Sequence, residues 1–531
     1  MRVETPQLLW HSETDKNVNT AINGVSLLQS GLLDPTKELY GNVLATGGNS
    51  NILHLWKIAF APAASGSTIF QKHSDNQNKI EHLCSLTRPD CAVHAVSFSP
   101  DGLHLAAGLS SGTILIWSVP HNKRGNGNGR HFWCGVTREQ DLMVRVVQVA
   151  TDNITDLCWS ADSQRLVVGS VDGAMAVCEL QEDTWRVVYK NANDHSHYIQ
   201  GVCYDPTGVY IASMSSDRSV RVFSRKTPKK KKKKVPEINT GKLEMNYRSK
   251  EIRRSRNSNG GNKNFFCDEA TLNSFVRRLA WTPDGAFLIT PAALHGSSGY
   301  ATLMFARHQY DEPYRILGGL EKPSLVVRPN PKLFELPEPS AIETNENESK
   351  ENQSPVPSNT SSLPYRSIFA VLTWDSVLIY DTHHRQPLSV IRGLHYAHLM
   401  DATWSADGHT LIVCSNDGYL SIINFAEGEL GKVFERPVES TPPVAAPVAA
   451  ALLPPCEPGP VAVLQTRPAK KAKFAVPEVD EELVEPVDPS SVVPKRSADE
   501  AMAGVDKLTL TDEEANKKKK KRIQPILLQA S

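Results

Sequence analysis

The chain has 531 residues, with 58 basic against 58 acidic side chains, 40% hydrophobic and 22% charged content. That is ordinary globular usage, long enough to bury a large core, and it excludes a chain disordered throughout. The most apolar window, residues 444–453, is broken by Pro447 and falls short of the roughly 20 residues that span a bilayer, and residues 1–10 carry Arg2 and Glu4 without an apolar h-region, so an intracellular protein without a membrane span is expected.

Residues 3–10 read as a strand that precedes the repeats. The first repeated unit is 44–56 (LATGGNSNILHLW). In the clearest copy, 93–98 alternates, Ser99-Pro100-Asp101-Gly102 turns, 103–108 returns, Ser110-Ser111-Gly112 turns again, and 113–117 closes on Trp117. Further copies are 154–178 around Ala161-Asp162-Ser163, 199–223 around Asp205-Pro206-Thr207-Gly208, and 276–305 around Thr282-Pro283-Asp284-Gly285. A unit at 367–380 keeps the closing strand without one turn, and 399–425 turns at Ser405-Ala406-Asp407-Gly408. Seven units result, with turn spacing near the roughly 40 to 45 residues of a four-stranded blade where no insertion intervenes.

This pattern resembles WD40 repeats. Trp56 and Trp117 take the Trp of the Trp-Asp pair, followed by Lys57 and Ser118 instead of Asp, while Phe223 and Tyr380 substitute another aromatic. The expected fold is all-β: a seven-bladed WD40 propeller over residues 1–431, followed by a disordered tail over 432–531. Each small sheet has two apolar faces that only neighbouring blades cover, so the ring closes, and 3–10 should pair into the last blade as a latch. Insertions at about 121–140, 225–268 and 337–364 are expected to be mobile loops. After residue 431 periodicity stops and Pro, Ala and charge take over.

No phosphate-cradling, dinucleotide-binding, zinc-protease or serine-hydrolase motif is present, so neither an enzyme nor a cofactor is expected. The nine cysteines are scattered with no C-x-x-C; Cys158 and Cys203 sit in apolar strand runs and read as core. His195 and His197, His383 and His384, and His395 and His398 cluster as metal ligands do, but a His ahead of a blade's first long strand commonly bonds within its own blade, and that reading is preferred. Asp101, Asp162, Asp284 and Asp407 recur at one turn position and read as backbone caps.

Zero net charge conceals uneven distribution. Lys229, Lys230, Lys231, Lys232, Lys233 and Lys234 form one run, which reads equally as an anion-binding or a solvated loop and leaves direct DNA contact open. Arg467, Lys470, Lys471 and Lys473, with Lys495 and Arg496, resemble nuclear import signals. The last segment joins a basic run, including Lys521 and Arg522, to Ile523, Pro525, Leu527 and Leu528, a short apolar stripe held extended and suited to strand addition on a partner sheet.

Four stretches then resemble one family, the middle WD-repeat subunit of chromatin assembly factor one. They are residues 44–56, Asp194-His195-Ser196-His197-Tyr198-Ile199-Gln200-Gly201-Val202 with Asp205-Pro206, Ser216-Asp217-Arg218-Ser219-Val220-Arg221-Val222-Phe223, and above all Ser274-Phe275-Val276-Arg277-Arg278-Leu279 with Thr282-Pro283-Asp284-Gly285 and Thr290-Pro291-Ala292. Leu363-Pro364-Tyr365-Arg366 and Asp375-Ser376-Val377-Leu378-Ile379-Tyr380 fit as well. The terminal Arg522-Ile523-x-Pro525-x-x-Leu528 resembles the B-domain motif with which such proteins bind the anti-silencing-function histone chaperone. The resemblance implies a nuclear, non-enzymatic scaffold subunit, partnered by a large subunit and a small WD-repeat subunit, in a complex depositing histones three and four on replicated or repaired DNA. Two alternatives stand beside it. One is the replication-independent histone-regulator WD subunit, disfavoured because that family places its B-domain mid-chain ahead of a second domain. The other is a WD40 substrate adaptor of a ubiquitin ligase, a use many propellers serve.

Overall fold

The computed structural model describes residues 1–6, 8, 10–11, 19–28, 42–60, 78–123, 130–225, 247–252, 254–256, 262–268, 272, 274–295, 299–337, 363–435 and 526–528. Seven antiparallel sheets of four or more strands follow in chain order, at 22–86, 93–148, 154–191, 199–252, 280–320, 324–392 and 399–424, and we number them blades 1 to 7; a two-stranded ladder, Arg254–Arg256 with Asn262–Asn264, lies between blades 4 and 5 in the chain. The first strand of each blade packs against the first strand of the next: Ile22–Leu27 on Val93–Phe98, then Ile154–Trp159, Ile199–Tyr204, Ala280–Trp281, Ser324–Glu335, Leu399–Trp404, and back to Ile22–Leu27. The ring is therefore closed. The short N-terminal strand Arg2–Glu4 supplies blade 7 with its outer strand, Val3 lying opposite Ile423. The latch is thus shorter than the expected 3–10. Trp10 is instead fully buried, edge-on to Trp56 at 4.7 Å, in the core between blades 7 and 1.

The repeated turns work by one mechanism. Asp101 accepts from Leu103 N at 2.9 Å, Asp162 from Gln164 N at 3.0 Å, Asp284 from Ala286 N at 3.2 Å and Asp407 from His409 N at 3.0 Å, so each caps the backbone of its own turn. The residue after the Asp has positive φ: Gly at 102, 285 and 408, and Ser163, at φ 59°, in blade 3.

Two expected loops hold ordered structure. Within 121–140, Trp133 is fully buried, packs edge-on to Phe98 at 5.2 Å and donates Nε1–H to Gly102 O at 2.7 Å. Within 225–268, Tyr247–Ile252 is the outer strand of blade 4, and Phe266 and Cys267 are buried beside blade 5. The strand YRSKEI mixes charged residues into an edge position, which hides it from an apolar-periodicity reading. Blade 6 opens on Ser324–Glu335, a twelve-residue strand containing Pro329 and Pro331; its register shifts between Pro329 and Leu333, which is how prolines are accommodated in a ladder. Residues 338–362 and the region 436–525 lie outside the described residues.

Candidate docking site

At the centre of the ring the first strands of blades 1, 2, 3, 4 and 7 share an irregularity. Register shifts between Ile22 and Gly24, Val93 and Ala95, Ile154 and Asp156, Ile199 and Gly201, and Leu399 and Asp401. A bulge leaves its extra residue outside the ladder, so its carbonyl needs another donor. Arg278, fully buried, supplies donors to three of them: Nη1 donates to Asn23 O and Met400 O, each at 3.3 Å, and Nη2 to His94 O at 2.9 Å. Its charge is met by Asp401, 2.8 Å from Nη1, and Asp156, 3.2 Å from Nε. Arg278 N donates to Leu325 O in blade 6, and Arg277 N donates to Gln200 O in blade 4. Two consecutive arginines therefore join all seven blades.

Arg328 completes the cluster, donating Nε–H to Asp401 Oδ1 at 2.9 Å, so two guanidinium groups face two carboxylates. Burial pushes the Asp156 carboxyl above its usual range, with Arg278 and Arg328 pulling the other way. Gly201 lies where the inner strand passes closest: a Cβ there would come within 2.0 Å of Arg277 O. The Arg277-Arg278 pair, singled out in sequence, thus has a structural role. Asp156, Asp401 and Arg328 were missed, although Asp156 and Asp401 are each the third residue of a first strand (Ile154-Thr155-Asp156 and Leu399-Met400-Asp401), a repetition legible in the sequence.

The histidines form bonds within or beside their blades. His195 Nδ1 lies 3.0 Å from Asp217 and Nε2 2.7 Å from Ser213; His395 Nδ1 lies 3.2 Å from Asp417 and Nε2 2.9 Å from Ser421. Burial alone would raise the Asp217 carboxyl, but bonds from His195 and Ser219 hold it well below the usual range. Sequence reading missed a third network in blade 1. His11 Nδ1 lies 2.5 Å from Ser50 Oγ and Nε2 2.9 Å from Thr46 Oγ1, which also accepts from Trp56 Nε1 at 2.9 Å. Burial, with His54 beside it, pushes His11 down to about 3, so the ring is neutral. His384 bonds Asp381 at 2.8 Å, and His398 stacks obliquely on Trp374 at 5.3 Å. Among the described residues no group of three or more His, Cys, Asp or Glu is placed to hold a metal ion.

The candidate docking residues divide. Lys521, Arg522, Ile523 and Pro525 lie outside the described residues, as do Arg467, Lys470, Lys471, Lys473, Lys495 and Arg496 and the run 229–234. Leu527 and Leu528 fall in a three-residue strand, Ile526–Leu528, which pairs antiparallel with Ser389–Arg392, the outer strand of blade 6: Val390 opposite Leu528, Ile391 opposite Leu527 and Arg392 opposite Ile526. Blade 6 thereby becomes a five-stranded sheet.

Residues 1–430 match the family described as the CAF1B/HIR1 beta-propeller domain, across every blade and the Arg277-Arg278 centre just described. The chain belongs to that family. It is similar to the B subunit of chromatin assembly factor 1 from Mus musculus, 31% identical over 405 residues, covering 75% of this chain and 64% of the relative. It resembles the corresponding B subunit from Schizosaccharomyces pombe at 29% over 493 residues, with 81% of this chain and 89% of the relative covered. The protein HIR1 of Eremothecium gossypii is 27% identical over 403 residues, 74% of this chain and 44% of that protein. The chain thus spans less than two thirds of the mouse relative. In this chain the Arg278 cluster ties the first strands of the blades together at the centre of the ring.

Proposed function

We propose that this CAF1B/HIR1 propeller is a non-enzymatic WD-repeat subunit of a chromatin assembly complex, acting in the nucleus as a scaffold between a large subunit and a small WD-repeat subunit, and delivering histones three and four to replicated or repaired DNA. The observation that carries it is the match over residues 1–430, with relatives named as the B subunit of chromatin assembly factor 1 at 29–31% identity against 27% for the HIR1 relative. The fold supports a binding role: the described polar clusters are consumed in holding blades together, which leaves edges and faces for partners. The HIR1-like reading, a replication-independent assembly subunit, is favoured by the same family match and is separated by which large partner copurifies with the tagged protein.

The C-terminal segment is the docking strand for the anti-silencing-function histone chaperone. Ile523, Pro525, Leu527 and Leu528 enter an apolar groove, Lys521 and Arg522 face carboxylates, and backbone pairing sets the register. Burying Ile523 and Leu528 contributes roughly 1.5 to 3 kcal/mol each before the ordering cost of the segment is subtracted, so moderate affinity is expected. Calorimetry with the chaperone tests it: Ile523→Ala with Leu528→Ala should remove binding while leaving the large subunit attached. Binding by the double variant as tight as wild type, varying only with salt, would show that the basic run and not the apolar stripe is recognised.

A further inference from the structure

We propose that the outer edge of blade 6 is a strand-accepting surface whose resident occupant is the chain's own C-terminal strand, so that the propeller masks the segment that the chaperone would bind. This rests on the chaperone-docking reading above for its consequence, but not for its geometry. An outer blade strand presents unpaired backbone donors and acceptors along one side, which is a template for another strand. Blade 4 guards that edge with the exposed Lys250 and Glu251 in Tyr247–Ile252, and blade 7 fills its outer position with Arg2–Glu4. Blade 6 ends on only four residues, Ser389–Arg392, with Val390 and Ile391 at its middle. It is the one sheet among the described residues that carries a fifth strand, and that strand is Ile526–Leu528.

The backbone register sets Ile526, Leu527 and Leu528 opposite Arg392, Ile391 and Val390, and the pairing begins immediately after Pro525, a residue with no N–H to donate. The same backbone groups and the same Leu527 and Leu528 are the ones the chaperone groove requires. One strand cannot add to two sheet edges through the same residues, so cis and trans docking exclude each other.

Roughly 90 residues join Glu435 to Ile526. A random-coil tether of that length would hold a terminal strand at an effective concentration on the order of 1 mM. A three-residue augmentation with an intermolecular Kd of about 0.1 to 1 mM would then be closed roughly half to nine-tenths of the time, and apparent chaperone affinity would fall about twofold to tenfold relative to the free segment. Masking of this size tunes docking without abolishing it, and a bound partner that covers or widens the blade 6 edge would release the strand.

The test uses the full chain carrying Arg392→Cys with Ile526→Cys, a directly opposed pair in which Ile526 is not a chaperone contact of the docking reading. Directly opposed residues of antiparallel strands have Cα atoms about 4.5 to 5.5 Å apart, within disulfide range, so mild oxidation should give an intramolecular disulfide identified by peptide mass mapping. Arg392→Cys with Ala530→Cys, out of register, should give at least tenfold less. The oxidised R392C/I526C protein should lose chaperone affinity at least a hundredfold and regain it on reduction, and Val390→Asp, a charge at the half-buried position opposite Leu528, should raise the affinity of the uncrosslinked full chain about twofold to tenfold. Cross-linking no better than the out-of-register control overturns cis docking. Efficient cross-linking with chaperone binding unchanged overturns the masking. Efficient cross-linking in a protein that fails to bind the chaperone even when reduced overturns the chaperone reading and, with it, the masking, while supporting the strand-accepting edge.

Discussion

Replacing Arg278 by alanine removes at one stroke the donors to Asn23 O, His94 O and Met400 O and the cation between Asp156 and Asp401. The site is fully buried, so water does not replace what is lost. Removing one member of a buried ion pair costs about 3 to 5 kcal/mol, because the remaining charges stay desolvated, and that is a large fraction of the roughly 5 to 15 kcal/mol that holds a typical domain together. Arg328 remains beside Asp401, which limits the loss, whereas Asp156 is left with backbone donation from Val202 at 2.9 Å. We therefore expect Arg278→Ala to lower stability by about 3 to 5 kcal/mol, read as a shift in the urea midpoint followed by tryptophan fluorescence. Arg278→Lys should fall between, because one ammonium cannot reach carbonyls of three blades at once. Asp156→Asn in the Arg278→Ala background should recover at least about 1 kcal/mol relative to additivity, since it removes an unpaired carboxylate. A midpoint within about 0.5 kcal/mol of wild type, or strictly additive effects, would refute the idea that this cluster holds the ring.

Three further outcomes follow from the same geometry. Because burial drives His11 from 6.5 down to about 3, its folded value lies below its unfolded value, so its contribution is present above pH 6.5 and lost as pH falls: about 2 kcal/mol between pH 7 and 5, a slope that His11→Gln should flatten in urea titrations at each pH. Trp133→Ala should cost about 3 to 5 kcal/mol and render 121–140 protease-sensitive, whereas a freely solvated insertion would lose nothing measurable. Deleting residues 1–4 removes the blade 7 latch and should lower stability by about 2 to 4 kcal/mol in thermal unfolding; an unchanged Tm would mean that the ring is closed by packing of the first strands alone.

The repeats were legible because propeller blades are written locally: a Ser/Thr-x-Asp-Gly turn needs a cap and a residue tolerant of positive φ, and both are residue-type statements. Outer strands were not, since a strand at an edge answers to solvent on one side and carries no apolar alternation. Tyr247–Ile252 was hidden for that reason, and Ser324–Glu335, the inner strand of blade 6, was hidden by the shift in register that its prolines impose. Trp133 was hidden differently, since a single buried aromatic among glycine-rich neighbours anchors an insertion without any periodic signal.

The central cluster required the third dimension. Asp156 and Asp401 stand 245 positions apart and each looks like an ordinary strand residue, and only ring closure brings both to Arg278. What the chain does disclose is the asymmetry: a propeller whose Trp-Asp pairs have lapsed still needs polar cross-links between blades, and an arginine pair beside Phe275 in an otherwise apolar stretch is an expensive placement unless buried partners await it. His11 repeats the lesson from the other direction. Its network with Ser50, Thr46 and Trp56 occupies blade 1 as His195 does blade 4, but the ten residues between His11 and Ile22 separate it from the strand it serves, so spacing concealed what the bonding geometry makes plain. Residue type survives such insertions when spacing does not, so in a diverged propeller the buried histidine or arginine is a better guide to a blade's position than the dipeptide that gives the repeat its name.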